Sequence, residues 1–225
     1  MATLREQCPW DKKQTHLSLR KYLIEEAYEV LDVLDGFESL ADERRDGGVA
    51  DDKQLSELYT QLEEELGDLW FQVLFHAKLA EESGRFSIDD VAGTLRQKMV
   101  ARHPHVFDDG ASLIDGPSVE TWEKIKQEEK QRTSIFDDIP AALPALLRAE
   151  KVIKRARRGG VPATYLGVEE ISPNIEDDPE HGVGNALLTL VVEAVDAGVN
   201  PELALRSAVD EMVVRGRAAE ASSGP

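Results

Sequence analysis

Cysteine is almost missing from this chain. One residue in 225, Cys8, carries a thiol. No intrachain disulfide can form, and no cysteine-based zinc cluster can be assembled. Basic residues are also short: 26 Lys and Arg stand against 44 Asp and Glu, a formal net charge of −18. A polyanion binder needs a basic footprint. Nucleic acid is therefore disfavoured as the main partner, and so is an anionic membrane surface. No apolar run approaches the ~20 residues of a membrane-spanning helix, and residues 1–10 contain no apolar signal core. These absences lead to the expectation of a soluble, cytoplasmic protein. The length is enough to bury a core without staples, since chains of this size cover roughly 70% of their unfolded surface.

What is present is helical periodicity. Leu23, Ile24, Ala27, Val30, Leu31 and Leu34 fall on one face of a 3.6-residue repeat. They predict a helix over about 17–35, with Gly36 stopping it. Residues 36 to about 54 hold no period and three glycines among acids and arginines, which predicts a mobile acidic loop. A stripe from Leu55 through Leu62, Leu69 and Ala80 predicts a long helix over 54–82, closed by Gly84 at C′. Ser87 to Asp90 has the form of a capping box and opens a third helix that runs to Arg102. Ser118 can cap a fourth helix over 119–132. Pro140 and Pro144 bracket the entry to a helix with a basic end at Arg158. Two last helices are expected over 183–197 and 201–217, the second with Asn200 as N-cap and Pro201 at N1. No stretch alternates as a strand would. The fold class is all-α, in two parts: residues 1–140, and a second helical region over 141–225.

Two acidic clusters carry the chemistry. Glu25, Glu26 and Glu29 lie inside the first helix, and Glu63, Glu64, Glu65 and Asp68 inside the second. Glu26 and Glu29 are three residues apart, as are Glu65 and Asp68, so each pair sits on one helix face. A Glu-rich face alone is usually solvated surface. Two matched pairs, each flanked by apolar residues, are different. Packed side by side, these helices would aim four carboxylates at one point, with little positive charge nearby in sequence. Hard oxygen ligands of this kind select Mg²⁺, Mn²⁺ or Ca²⁺, and Mg²⁺ commonly bridges to phosphate oxygens. Two cationic pairs complement the acids: Lys98 with Arg102, and Trp122 with Lys126, each four residues apart. The cations can meet phosphates while a tryptophan covers a base or ribose. His103 and His105 read as helix-end residues rather than ligands.

In order along the chain come Cys8-Pro9-Trp10-Asp11, Gln14-Thr15-His16, Glu25-Glu26-x-x-Glu29, Glu65-x-x-Asp68, Phe75-His76-Ala77, Arg102-His103-Pro104-His105 and Trp122-Glu123-Lys124-Ile125-Lys126. This series resembles the MazG family of nucleoside triphosphate pyrophosphohydrolases. The resemblance spans roughly residues 4–158. It implies a dimeric all-α helical bundle. It implies Mg²⁺, with Mn²⁺ as a substitute, held by Glu26, Glu29, Glu65 and Asp68. Glu25 and Glu64 would assist catalysis or position water, and Trp10, Gln14, Lys98, Arg102, Trp122 and Lys126 would bind substrate. The implied reaction is hydrolysis of a nucleoside triphosphate to the monophosphate and pyrophosphate, in a nucleotide-pool house-cleaning role. Two features depart from the pattern. The loop over 36–54 looks like an insertion. In the C-terminal half, Gly182-Val183-Gly184-Asn185 occupies the place of an ExxD motif without its carboxylates, so this half looks like a degenerate, non-catalytic repeat. Two rivals stand beside this reading: a related enzyme specific for dUTP, dCTP or phosphoribosyl-ATP, and a non-catalytic acidic helical module that binds a protein partner.

Overall fold

The computed structural model describes residues 1–45, 52–107, 133–162 and 178–222, with side chains for all of these except 42–45. Every regular element among them is helical. The chain divides into two compact units, Met1–Ala111 and Ser112–Pro225.

The first unit is built on two long helices, α2 (Arg20–Arg45) and α3 (Asp52–Glu82), packed against each other. A short helix α1 (Ala2–Gln7) and a 3₁₀ turn (Asp11–Lys13) precede them as an N-terminal arm. Leu19, Phe75 and Leu79 form the buried cluster where this arm meets α3, with Met1, Tyr22 and Phe71 packed around it. Arg5 fastens the arm further along α3. Its guanidinium meets the Glu82 carboxylate at 2.8 Å and donates to the Asp11 carbonyl. Neither α1 nor the 3₁₀ turn was expected from the periodicity, because both are too short to show one.

The first long helix does not stop at Gly36. It continues to Arg45, and residues 46–51 of the expected loop lie outside the described residues. The reason is packing. A Cβ on Gly36 would come within 2.8 Å of Leu58 Cδ2, so the glycine serves a close approach of α3 rather than a chain reversal. One residue on, Phe37 meets Tyr59 edge to face at 5.0 Å, and Leu40 is buried. Tertiary contact outweighs the ~1 kcal/mol that glycine costs a helix.

The end of α3 follows the expected signal. Gly84 has φ +65°, its N–H donates to Glu81 and that of Arg85 to Ala80, a Schellman closure. The box Ser87–Asp90 then opens α4 (Ile88–Arg102). A short turn, α5 (Pro104–Phe107), follows His103. The expected fourth helix, with Trp122 and Lys126, lies outside the described residues.

In the second unit, α6 (Ala145–Arg158) packs against α7 (Pro179–Asp196) and α8 (Pro201–Ser222). Ile153, Ala156 and Val191 are buried apolar residues among those described in it. Helix α7 starts a turn earlier than its apolar run suggests. Asp178 accepts from the His181 N–H and Pro179 takes N1, a cap that an apolar periodicity does not register. Asn200 caps α8 as expected, accepting from Glu202 and Leu203 at 3.0 Å each. Helix α8 also runs beyond Arg217, through alanines and a glutamate that favour helix without an apolar partner. No single helix among the described residues is long and apolar enough to cross a membrane.

Candidate metal centre

Helix α2 presents Glu26 and Glu29, and α3 presents Glu65 and Asp68. Because the helices pack side by side, the two faces meet. Carboxylate oxygens of Glu26, Glu29 and Glu65 lie within 4.8 Å of one another. Asp68, exposed at the edge of the group, is close enough to act electrostatically on both Glu26 and Glu65. No salt bridge joins any of the four to a lysine or arginine among the described residues. The cost shows in the proton affinities. Burial lifts the Glu26 carboxyl above the ordinary glutamate range, with the Glu29 hydrogen bond and the Glu29 and Asp68 charges adding to it. Glu65 is pushed the same way, by desolvation and then by Glu29, Asp68 and Glu64.

The other expected residues fall in different places. Glu64 borders Glu65 and contributes its charge. Glu25 is exposed, one residue round the helix from Glu26, and does not join the group. On α4, Lys98 is exposed, whereas Arg102 is buried and engaged. In the arm, Trp10 keeps one side exposed and packs the other edge-on against Tyr22 and Phe75. Gln14 is turned inward on its own segment, donating to the Trp10 carbonyl at 3.0 Å and accepting from Ser18 Oγ at 2.7 Å.

One residue was missed. Gln72 is only 5% exposed, and its Nε2 donates to Glu26 Oε1 at 3.4 Å. Its own Oε1 is buried with no protein partner. Gln72 stands four residues beyond Asp68 and seven beyond Glu65, on the same face of α3. The signal was available: it is the one polar residue in the run Leu69-Trp70-Phe71-Gln72-Val73-Leu74-Phe75.

These residues fit a hard divalent cation. All the clustered donors are carboxylate oxygens, their mutual repulsion lacks a cationic partner, and an orphaned amide oxygen lies beside them. A cation at that point would supply the missing positive charge.

Comparison with known proteins agrees with this geometry. A model of the MazG nucleotide pyrophosphohydrolase domain matches residues 14–107, the stretch that holds all four carboxylates. A nucleoside triphosphate pyrophosphohydrolase of Escherichia coli K12 is 36% identical, covering 95% of this chain and 80% of that protein. One from Mycobacterium tuberculosis is 41% identical, over 87% of this chain and 54% of its own length. A protein of Thermotoga maritima named nucleoside triphosphate pyrophosphohydrolase/pyrophosphatase MazG is 36% identical, over 93% and 78%. With relatives aligned along nearly all of it, the chain belongs to the MazG nucleotide pyrophosphohydrolase family and is a hydrolase.

Proposed function

We propose that this hydrolase is Mg²⁺-dependent and cleaves nucleoside triphosphates to the monophosphate and pyrophosphate. The observation that carries the reading is the mutual approach of Glu26, Glu29 and Glu65 without a cationic partner. The relatives named for this reaction support the substrate class.

Glu26, Glu29, Glu65 and Asp68 would hold the metal, with Mn²⁺ as a substitute. When bound, it supplies Lewis-acid polarisation of phosphoryl oxygens and lowers the pKa of a water. The chain's own residues do the rest. Gln72 orients Glu26 from behind. Glu64 and Glu25, the sequence neighbours of Glu65 and Glu26, would orient a water and receive its proton. Water oxygen attacks the α-phosphorus, the bond to the bridging oxygen breaks, and pyrophosphate leaves. Lys98, Arg102 and Lys126 offset phosphate charge. Trp10, Gln14 and Trp122 are assigned to binding the base and sugar. We further propose a homodimer through α2 and α3, whose Leu23, Ile24, Leu66 and Trp70 are exposed. We assign the enzyme a cytoplasmic house-cleaning role, and the 141–225 region packing rather than chemistry.

The test is pyrophosphate release from a panel of canonical, deoxy and oxidised nucleoside triphosphates with Mg²⁺. Release that stops in excess EDTA and in Glu26→Gln is expected. Full activity under either condition contradicts the mechanism. A rate confined to dUTP, dCTP or phosphoribosyl-ATP would move the chain to a narrower substrate.

A further inference from the structure

His16 and His76 have no part in the chemistry above, yet the structure joins them. Their Nδ1 atoms are 2.8 Å apart, the ring centroids 5.1 Å, and the planes diverge by 3°. Nitrogens inside the roughly 3.5 Å of ordinary contact cannot belong to rings stacked face to face. The rings share a plane and meet nitrogen to nitrogen in one N–H···N bond. The tautomer follows from the surroundings. His76 Nε2 is buried without a partner. A proton there would be an orphaned donor, the rarer and costlier defect. So His76 carries its proton on Nδ1 and donates, and His16 accepts. An additional proton is unfavourable wherever this arrangement could take it. Placed on His16, it leaves two donors facing each other, or drives the His76 proton onto buried Nε2. Placed on His76, it puts a charge on a half-buried ring.

We propose that the His16–His76 pair is a proton-sensitive clasp that fixes the N-terminal arm, and with it Trp10 and Gln14, against α3. That the arm serves nucleotide binding rests on the function proposed above. Gln14 lies two residues before His16 and is bonded to the Trp10 carbonyl. Trp10 leans on Phe75, the neighbour of His76. The clasp therefore closes a loop from Trp10 through Gln14 and His16 to α3. Burial, and then His16, hold the His76 ring below the ordinary histidine range, in keeping with a neutral pair. The charged groups nearby on the arm and α3 are engaged with one another. Arg5 is paired with Glu82 and feels Asp11, and Lys78 is paired with Glu81. Glu82 is held below the usual carboxylate range by Arg5. That outer tie survives mild acid, so the clasp is the attachment that opens first, below the ordinary histidine range.

Nitrogen-15 NMR of the full metal-free chain tests this without activity. At pH 7.5 His76 should carry its proton on Nδ1 alone. The Trp10 indole N–H signal should move as the pair takes up a proton. His16→Asn, whose amide oxygen can accept from His76 but cannot titrate, should hold that signal still. His16→Ala should show it displaced already at pH 7.5. Protonation of His76 on Nε2, or a Trp10 signal indifferent to both acid and His16→Ala, overturns the proposal. With ATP and Mg²⁺, KM should rise about 2- to 10-fold on the acid side, the worth of one hydrogen bond. It should stay flat in His16→Asn. An equal rise in His16→Asn also overturns it. A moving Trp10 signal with a flat wild-type KM leaves the clasp standing and removes Trp10 from the nucleotide site.

Discussion

The two units treat their carboxylates in opposite ways. In the second unit, Glu150 on α6 is 5% exposed and fully answered: Lys154, one turn on, meets one oxygen, and Asn200 donates to the other at 3.0 Å. Asn200 is also the cap of α8, so Glu150 ties two helices together. In the first unit, Glu26, Glu29 and Glu65 crowd within 4.8 Å, and among the described residues Gln72 is the polar neighbour outside the acids that bonds to them. A buried charge normally needs a partner. Glu150 has its partners within the fold; the cluster leaves its partner to be supplied from outside. On the function proposed above, that difference separates a carboxylate that holds structure from one that would hold a ligand. Among the described residues, the second unit has no counterpart of the cluster. A cavity of about 480 Å³ in that unit is lined by residues that include Leu143, Val152, Ile153, Leu188 and the cation Arg148.

The sharpest way to break this contrast is to remove one carboxylate from each side. Glu26→Gln or Asp68→Asn should cost turnover on the order of 100-fold or more, since even outer-shell changes at metal sites cost 10- to 100-fold. Neither should unfold the chain, and Glu26→Gln should raise the melting temperature of the metal-free protein. Glu150→Leu should do the reverse. Loss of a buried, hydrogen-bonded carboxylate that leaves Asn200 unanswered should cost about 1–3 kcal/mol in denaturant unfolding, with the turnover of folded molecules unchanged. A smaller effect is expected at Gln72. Gln72→Leu should weaken divalent-cation affinity by about 10-fold, read by calorimetry, because Glu26 loses its orienting donor.

The smallest effects concern pH, and the two regions of the first unit oppose each other. Glu26 has a folded pKa raised above 4.5. The native state therefore holds its proton where the unfolded chain has lost it. Its contribution is fully present below 4.5 and disappears as pH rises through the raised value. The advantage of Glu26→Gln over the metal-free wild type should shrink as pH falls toward 4.5. His76 has a folded pKa lowered below 6.5, so the unfolded chain takes up the proton first. Stability should decline as pH falls below 6.5, and a His76→Gln variant should lack that decline in thermal melts.

How much of this was legible in the sequence depended on whether a residue's partners were local. The capping box at Ser87, the glycine closure at Gly84 and the Asn200 cap are settled within a few residues, and each stands where the pattern placed it. The spacing of Glu26 with Glu29, and of Glu65 with Asp68, is equally local, so the cluster could be read before the fold was known. Gly36 could not, because its meaning lies in Leu58, across the helix pair. Gln72 stayed hidden because an apolar run was read for its apolar members. The His16–His76 bond joins residues sixty positions apart, and no periodicity announces it.

Cation binding by the full-length protein tests the central claim most directly. Titrated calorimetrically with Mn²⁺ or Mg²⁺, the wild type should show a carboxylate-dependent site that disappears in Glu26→Gln and persists in Glu150→Leu. Undiminished binding in Glu26→Gln, or binding that disappears with Glu150 instead, would contradict the assignment of the α2–α3 cluster as the metal centre.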